Sequence, residues 1–159
     1  MKLKGIIDED FINYKLPSMF LISSTCNWKC CKEAGIDICQ NLPLAKEKTI
    51  YIPDEKIFER YINNQITKSI VIGGLEPFDQ FEEIFNLISY FRMFRGCNDP
   101  FIIYTGYYPE EIDGQIKFLS MFENIIVKFG RYIPNRNSIY DEILGVELAS
   151  NNQFAEKIS

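Results

Sequence analysis

Histidine is absent from the 159 residues of this chain. That removes the commonest general base near neutral pH and the commonest catalytic zinc ligand together. Any chemistry must then come from cysteine, carboxylates, tyrosine, lysine or a bound cofactor. Basic residues are also in deficit, 17 Lys and Arg against 22 Asp and Glu, for a formal net charge of −5. A nucleic-acid-binding face needs clustered Lys and Arg, so that partner class is not expected. No apolar run reaches the ~20 residues of a membrane-spanning helix, and none of the chain is repetitive or low in complexity. The opening Met1-Lys-Leu-Lys-Gly-Ile-Ile-Asp-Glu-Asp-Phe turns acidic at once and lacks the pattern of a secretory leader. A soluble, cytoplasmic protein is the expectation.

What is present is a globular composition, 47% apolar and 25% charged, with 13 Phe and 9 Tyr, so material for a core is not limiting. One domain is expected over 1–159, with a core of about 18–133 and an irregular tail over 134–159. Four of the five cysteines fall within fourteen residues, Cys26-Asn-Trp-Lys-Cys30-Cys31-Lys-Glu-Ala-Gly-Ile-Asp-Ile-Cys39. In a reducing compartment such crowding signals a metal or redox site rather than a disulfide knot. Thiolates suit an iron–sulfur cluster or a tetrahedral zinc ion, and spacing by itself does not decide between them. Lys29 and Lys32 flank the vicinal pair, and positive neighbours favour thiolate. Adjacent side chains point apart, so three ligands plus one spare thiol are expected, the spare being Cys30 or Cys31. Cys97, beside Gly96, reads as a bystander.

Periodicity places the cysteines. Met19–Ser24 has the length of a strand and feeds directly into them; Thr49–Ile52 is a second short extended piece. Pro53 with Asp54 and Glu55 opens a helix whose face carries Ile57, Phe58, Tyr61 and Ile62. Lys68–Gly73 is rich in β-branched residues and reads as a buried parallel strand. A helix follows from Asp79 to about Arg92, then a strand at Phe101–Tyr104. Pro109–Phe122 is helical in parts with Gly114 a break, and Ile125–Phe129 is a further strand. Strands and helices alternating at this pitch predict an α/β fold with a parallel sheet. Ligands of such sheets sit beyond the carboxyl ends of the strands. The cysteines, Gly73 and Gly74, Thr105 and Gly106, and Gly130 each follow a strand, so all are expected along one edge.

Val71-Ile-Gly73-Gly74-Leu-Glu76-Pro77-Phe, taken with the cysteine loop after the first strand, resembles the radical S-adenosylmethionine (SAM) superfamily. Within it the chain is most similar to the small activating proteins of anaerobic ribonucleotide reductase. Cys39-Gln-Asn41, Tyr104-Thr-Gly-Tyr107, Phe129-Gly-Arg-Tyr132 and Ser150-Asn-Asn-Gln153 carry that likeness, which covers most of 18–153. The resemblance implies an open partial (β/α) barrel and Cys26, Cys30 and Cys39 as ligands of a [4Fe-4S] cluster. It implies that Gly73, Gly74, Glu76, Pro77, Thr105, Gly106 and Gly130 hold SAM, with Trp28 walling the site. One electron would break the sulfonium bond, and the resulting 5′-deoxyadenosyl radical would take hydrogen from a glycine of a larger partner enzyme. Flavodoxin or ferredoxin is the implied electron donor. Two departures stand out: the last cysteine interval is eight residues in place of two, and Leu75 replaces a glycine.

Blander readings accompany these residues. Gly73-Gly74 also suits a simple strand-to-helix turn, Thr105-Gly106 a turn and Gly130 a strand terminator. Glu76 suits an exposed first-turn carboxylate, Asp8–Asp10 a solvated charge run and Ser150–Gln153 a frayed tail. Two other functions stay open: radical SAM chemistry on another substrate, and a non-catalytic module with a structural zinc.

Overall fold

The computed structural model describes residues 1–159. In chain order the elements are β1 (Lys2–Asp10), β2 (Ser18–Ser23), α1 (Lys29–Ala34), β3 (Ile50–Tyr51), α2 (Asp54–Asn63), β4 (Ser69–Gly74), α3 (Phe81–Ser89), β5 (Phe101–Tyr104), α4 (Asp113–Leu119), β6 (Ile125–Phe129), β7 (Ile139–Asp141), β8 (Val146–Leu148) and β9 (Phe154–Lys157). Seven strands form one sheet in the order β3-β1-β2-β4-β5-β6-β9, and β7 and β8 form a separate hairpin. The central β2, β4, β5 and β6 are parallel and lie in sequence order. Antiparallel β1 and β3 extend one side and antiparallel β9 the other. The fold is thus mixed α/β with a parallel centre and short helices.

Burial on both faces explains why the parallel strands read as unbroken apolar runs. One face contributes Ile70, Ile72, Phe101, Ile103, Ile125 and Val127 to the larger core, closed by Ile57, Phe58 and Tyr61 of α2 and Ile84, Leu87 and Ile88 of α3. The other face contributes Val71, Ile102 and Ile126 to a smaller core with Tyr14, Leu144, Leu148 and Ala155. Ile62, expected on the buried face of α2, is 57% exposed. No helix is long and apolar enough to cross a membrane.

Several sequence expectations change at this level. The stretch after Pro134 is not irregular: it builds the β7–β8 hairpin over the smaller core and then pairs β9 with β6. Nine-residue β1 is unexpected because register shifts after Leu3 and after Ile7 break its alternation. Asp8–Asp10 is not simply solvated. Asp8 accepts from Arg60 Nη2 at 2.8 Å, while Asp10 is buried and accepts from the Asn13 amide N–H at 3.1 Å. The helix expected from Asp79 starts as a tight 3-10 turn at Pro77 and ends in a π-helical turn over Tyr90–Phe94. Gly114 lies inside α4, and the interruption falls instead at Ile112, whose φ is −135°.

The end of β4 requires glycine. Gly74 has φ +86°, and a Cβ there would stand 2.6 Å from Ile22 Cγ2 on the neighbouring strand. Gly74→Ala is expected to destabilise the fold by about 1–3 kcal/mol, the cost of forced left-handed backbone and overpacking. Urea denaturation reads this directly, and an unchanged midpoint would show that the turn relaxes freely.

Candidate metal centre

Beyond β2 the chain is stitched to the turn after β4. The Ser24 N–H donates to Gln80 Oε1 at 2.7 Å, and the Glu76 N–H donates to the Thr25 carbonyl at 2.8 Å. Asn27 donates its N–H to Asp79 Oδ2 at 2.6 Å, and Tyr107 donates its hydroxyl to Asp79 Oδ1 at 2.8 Å. Trp28, at φ +60°, then turns the backbone into α1, and Gly35 at φ +69° ends that helix. The vicinal cysteines therefore lie on a six-residue helix.

Cys26 and Cys30 line a cavity of about 40 Å³ together with Asn27, Lys29, Glu76, Gly106, Tyr107 and Arg131. Cys31 is buried and is not part of that lining. Cys39 is near enough to both cavity thiols to raise their pKa values by charge. Burial is the larger effect, pushing Cys26 up to about 11 and Cys30 up to about 12. Lys29 and Lys32 do not favour the thiolates as the sequence suggested. Lys29 is instead engaged by Glu111, with Glu33 Oε1 at 3.9 Å. No three Cys, Asp or Glu side chains converge on a single ion-sized point. Soft donors that stay protonated until a cation arrives suit a thiolate-bound metal centre, which releases protons as it loads.

The Gly-Glu-Pro turn is the joint between strands. Gly73 sits where a Cβ would meet Phe20 Cζ and Tyr104 Cβ, each at 3.2 Å. Pro77 opens the 3-10 turn, and Glu76 caps it by accepting the Phe78 N–H at 3.2 Å. Glu76 is not exposed. It is buried and also accepts from Thr105 Oγ1 at 2.6 Å and from the Gly106 N–H at 2.9 Å, linking the ends of β4 and β5. Burial pushes its pKa up to about 7 against those three hydrogen bonds, which pull it down. Asn41 secures the far end of the cysteine loop, donating from Nδ2 to the Gly74 carbonyl at 2.6 Å.

After β6, Gly130 at φ +96° leaves room for the C-terminal segment, since a Cβ would meet the Asn152 carbonyl oxygen at 3.0 Å. Ser150–Gln153 is no frayed tail. Ser150 and Gln153 are buried, and Gln153 Nε2 donates to the Gly130 carbonyl at 3.1 Å. Arg131 is buried over the Tyr108 ring and donates from Nη1 to the Gly106 carbonyl at 3.1 Å. It also donates to Glu33 Oε1 at 3.1 Å and to Glu111. Its Nε lies 3.0 Å from Glu33 Oε2, but that N–H is not aimed at the oxygen and stays unpaired. For Glu111, burial would raise the pKa, yet hydrogen bonds from Arg131 and Lys29 outweigh it and hold the carboxyl at about 2. These ion pairs lash α1 to the segments after β5 and β6.

Cys26, Cys30, Glu76 and Gly106 thus meet at one cavity. Gly73, Gly74, Pro77, Thr105 and Gly130 frame the strand ends around it, with Trp28 at the head of α1. Cys97 lies before β5, at the opposite end of the sheet, where its carbonyl accepts from Arg92 Nη1. Sequence reasoning did not assign roles to Asn27, Tyr107, Glu111 or Arg131. Tyr107 and Arg131 stood inside segments carrying the family likeness, whereas Glu111 shows locally only as the capping acid of the turn opened by Pro109.

Thiols on a loop at the carboxyl edge of a parallel sheet suit an iron–sulfur cluster or a structural zinc ion. Over residues 18–153 the chain matches the family described as the 4Fe-4S single cluster domain, and it belongs to that family. No curated protein and no solved structure matches it. Of the two metal centres that spacing left open, the family supports the [4Fe-4S] cluster.

Glu76 supplies a pH test. Its carboxyl binds a proton more tightly folded (about 7) than at its ordinary 4.5. Its contribution to stability is therefore complete below the ordinary value and is lost as pH rises through about 7. Glu76→Gln should flatten the part of the stability profile between pH 5 and pH 8 that belongs to this group. It should also cost about 1–3 kcal/mol at low pH, because one amide N–H loses its acceptor. Urea midpoints of both proteins at the two pH values check this; parallel profiles would place the titration elsewhere.

Proposed function

We propose that the protein is a radical SAM enzyme of the activating type, which installs a glycyl radical on a larger partner enzyme, anaerobic ribonucleotide reductase. The observation that carries this reading is the meeting of the cysteine loop, the Gly-Gly-Leu-Glu-Pro turn and the ends of β5 and β6 around one cavity. In this reading Cys26, Cys30 and Cys39 hold the cluster, and three protein thiolates leave one of four irons for a ligand that is not protein. The cluster supplies one-electron chemistry, here the reductive cleavage of SAM, with flavodoxin or ferredoxin as donor.

The chain's own part is to bind and to exclude water. In this reading the backbone at Gly73 and Gly74, whose carbonyls accept from Ser23 Oγ and Asn41 Nδ2, exchanges those bonds for the amino-acid end of SAM. Glu76 keeps those strand ends in register through Thr105 and Gly106, Gly106 lines the cavity, and Gly130 lets the C-terminal segment pack behind it. The four parallel strands serve as the core of an open partial barrel. A cavity of about 40 Å³ is far below the ~300–1,000 Å³ of organic-ligand pockets. Binding SAM therefore requires α1 to shift from the segments after β5 and β6. The ion pairs that resist are uneven: Lys29 and Glu33 on α1 are 39% and 53% exposed, whereas their partner Arg131 is buried.

Anaerobic reconstitution with iron and sulfide, reduction with dithionite, and EPR with and without SAM tests the proposal. A reduced [4Fe-4S] signal that shifts on adding SAM is expected, with Cys26→Ala abolishing it. A cluster signal indifferent to SAM would sink the enzyme reading and leave a cluster-holding domain.

A further inference from the structure

A second cavity, of about 490 Å³, lies at the amino ends of the parallel strands, away from the cysteines. Its size falls within the ~300–1,000 Å³ of organic-ligand pockets. Tyr14 and Lys15 line it from the segment before β2, Ile126 from the start of β6, Glu142 and Ile143 from the β7–β8 turn, and Lys157 from β9. Lys157 pairs with Ile126, and opposed residues of antiparallel strands project to the same face. Ile126 belongs to the smaller core, so Lys157 overhangs an apolar floor. Lys15 is fixed to the hairpin turn. Its N–H donates to the Leu144 carbonyl at 2.8 Å, and a Cβ at Gly145 would stand 2.7 Å from Lys15 Cβ.

Two features set this cavity apart from a packing gap. The ammonium groups of Lys15 and Lys157 form no ion pair and donate to no protein acceptor, although Glu142 shares the wall. Lys15 Nζ lies 5.8 Å from the centre of the Tyr14 ring. Uncompensated cations at a concave surface focus positive potential there. The second feature is Tyr14 itself, which is only 5% exposed. Its hydroxyl has no hydrogen-bond partner in the protein, yet it is not one of the sealed unpaired atoms, so it opens to the cavity that Tyr14 lines. Burial raises its pKa, which keeps the hydroxyl a donor.

We propose that this cavity binds a small organic anion, its carboxylate or phosphate group held by Lys15, Lys157 and the Tyr14 hydroxyl and its apolar body seated on Ile126 and Ile143. Glu142 opposes a bare inorganic anion, so burial of the apolar body is needed for affinity. The bound molecule ties the segment before β2, the β7–β8 turn and β9 together, and binding therefore stabilises the fold. The site stands apart from the cysteine cavity and needs no iron.

The test is titration calorimetry of the full-length protein at low ionic strength, both as purified and after anaerobic reconstitution with iron and sulfide. Benzoate and phenyl phosphate are the probes, with benzyl alcohol and inorganic phosphate as controls. At least one probe should saturate at one molecule per chain in both preparations, with each control weaker by about tenfold or more. Tighter binding of phenyl phosphate assigns the site to phosphate esters, and tighter binding of benzoate to carboxylic acids. Lys15→Ala and Lys157→Ala should each weaken the better probe by about tenfold. Glu142→Gln should strengthen it, and Lys117→Ala, on α4, should leave it unchanged. Circular dichroism confirms that each variant folds. The proposal is overturned if neither probe saturates, if inorganic phosphate binds as tightly as the probes, or if the folded Lys15 and Lys157 variants bind like wild type. None of these readouts depends on the cluster, so failure here leaves the proposed function standing.

Discussion

The carboxylate of Glu76 is the interaction on which the candidate centre depends. It is buried where β4 gives way to a 3-10 turn, and it accepts hydrogen bonds from that turn and from both residues at the end of β5. Its own N–H meets the Thr25 carbonyl, one residue before Cys26. Two strand ends and the root of the cysteine loop thus share a single residue. A buried acceptor with several donors is costly to disturb, so the relative positions of these segments are set from inside the protein.

Around that joint the charges are already spent on one another. Lys29 and Arg131, the cations nearest the cavity thiols, are held by Glu33 and Glu111. The thiols are consequently surrounded by low-dielectric protein and by negative neighbours, and burial raises their pKa values. Such an environment discourages free thiolates and rewards a bound cation. That physics agrees with membership of the 4Fe-4S single cluster family. Helix α1 closes one side of that joint: it is short, bounded by two left-handed residues and tied by ion pairs to Glu111 and Arg131.

Much of the framework was legible in the sequence. Phe101–Tyr104 and Ile125–Phe129 appear with the expected bounds, because doubly buried parallel strands are continuous apolar runs between polar breaks. The edge elements were not. Bulges in β1 destroy its alternation, and β7, β8 and β9 are three or four residues each, too short for a periodic signal. Among site residues, the cysteines and the Gly-Glu-Pro turn announce themselves through clustering and turn chemistry. Glu76 was found but its exposure misjudged, since nothing local reveals that Thr105 and Gly106 pack over it.

The sequence by itself determined the α/β alternation, the all-thiolate donor set without histidine, and the gathering of site segments after successive strands. Each of these is encoded within a few neighbouring residues. Only the tertiary structure decided that Cys30 and not Cys31 lines the cavity, that Glu76 is an internal strut, and that Arg131 and Glu111 clamp the cysteine helix. Those outcomes depend on partners 20 to 98 positions apart along the chain, and burial and charge pairing at such separations exist only once the sheet has brought the strand ends together.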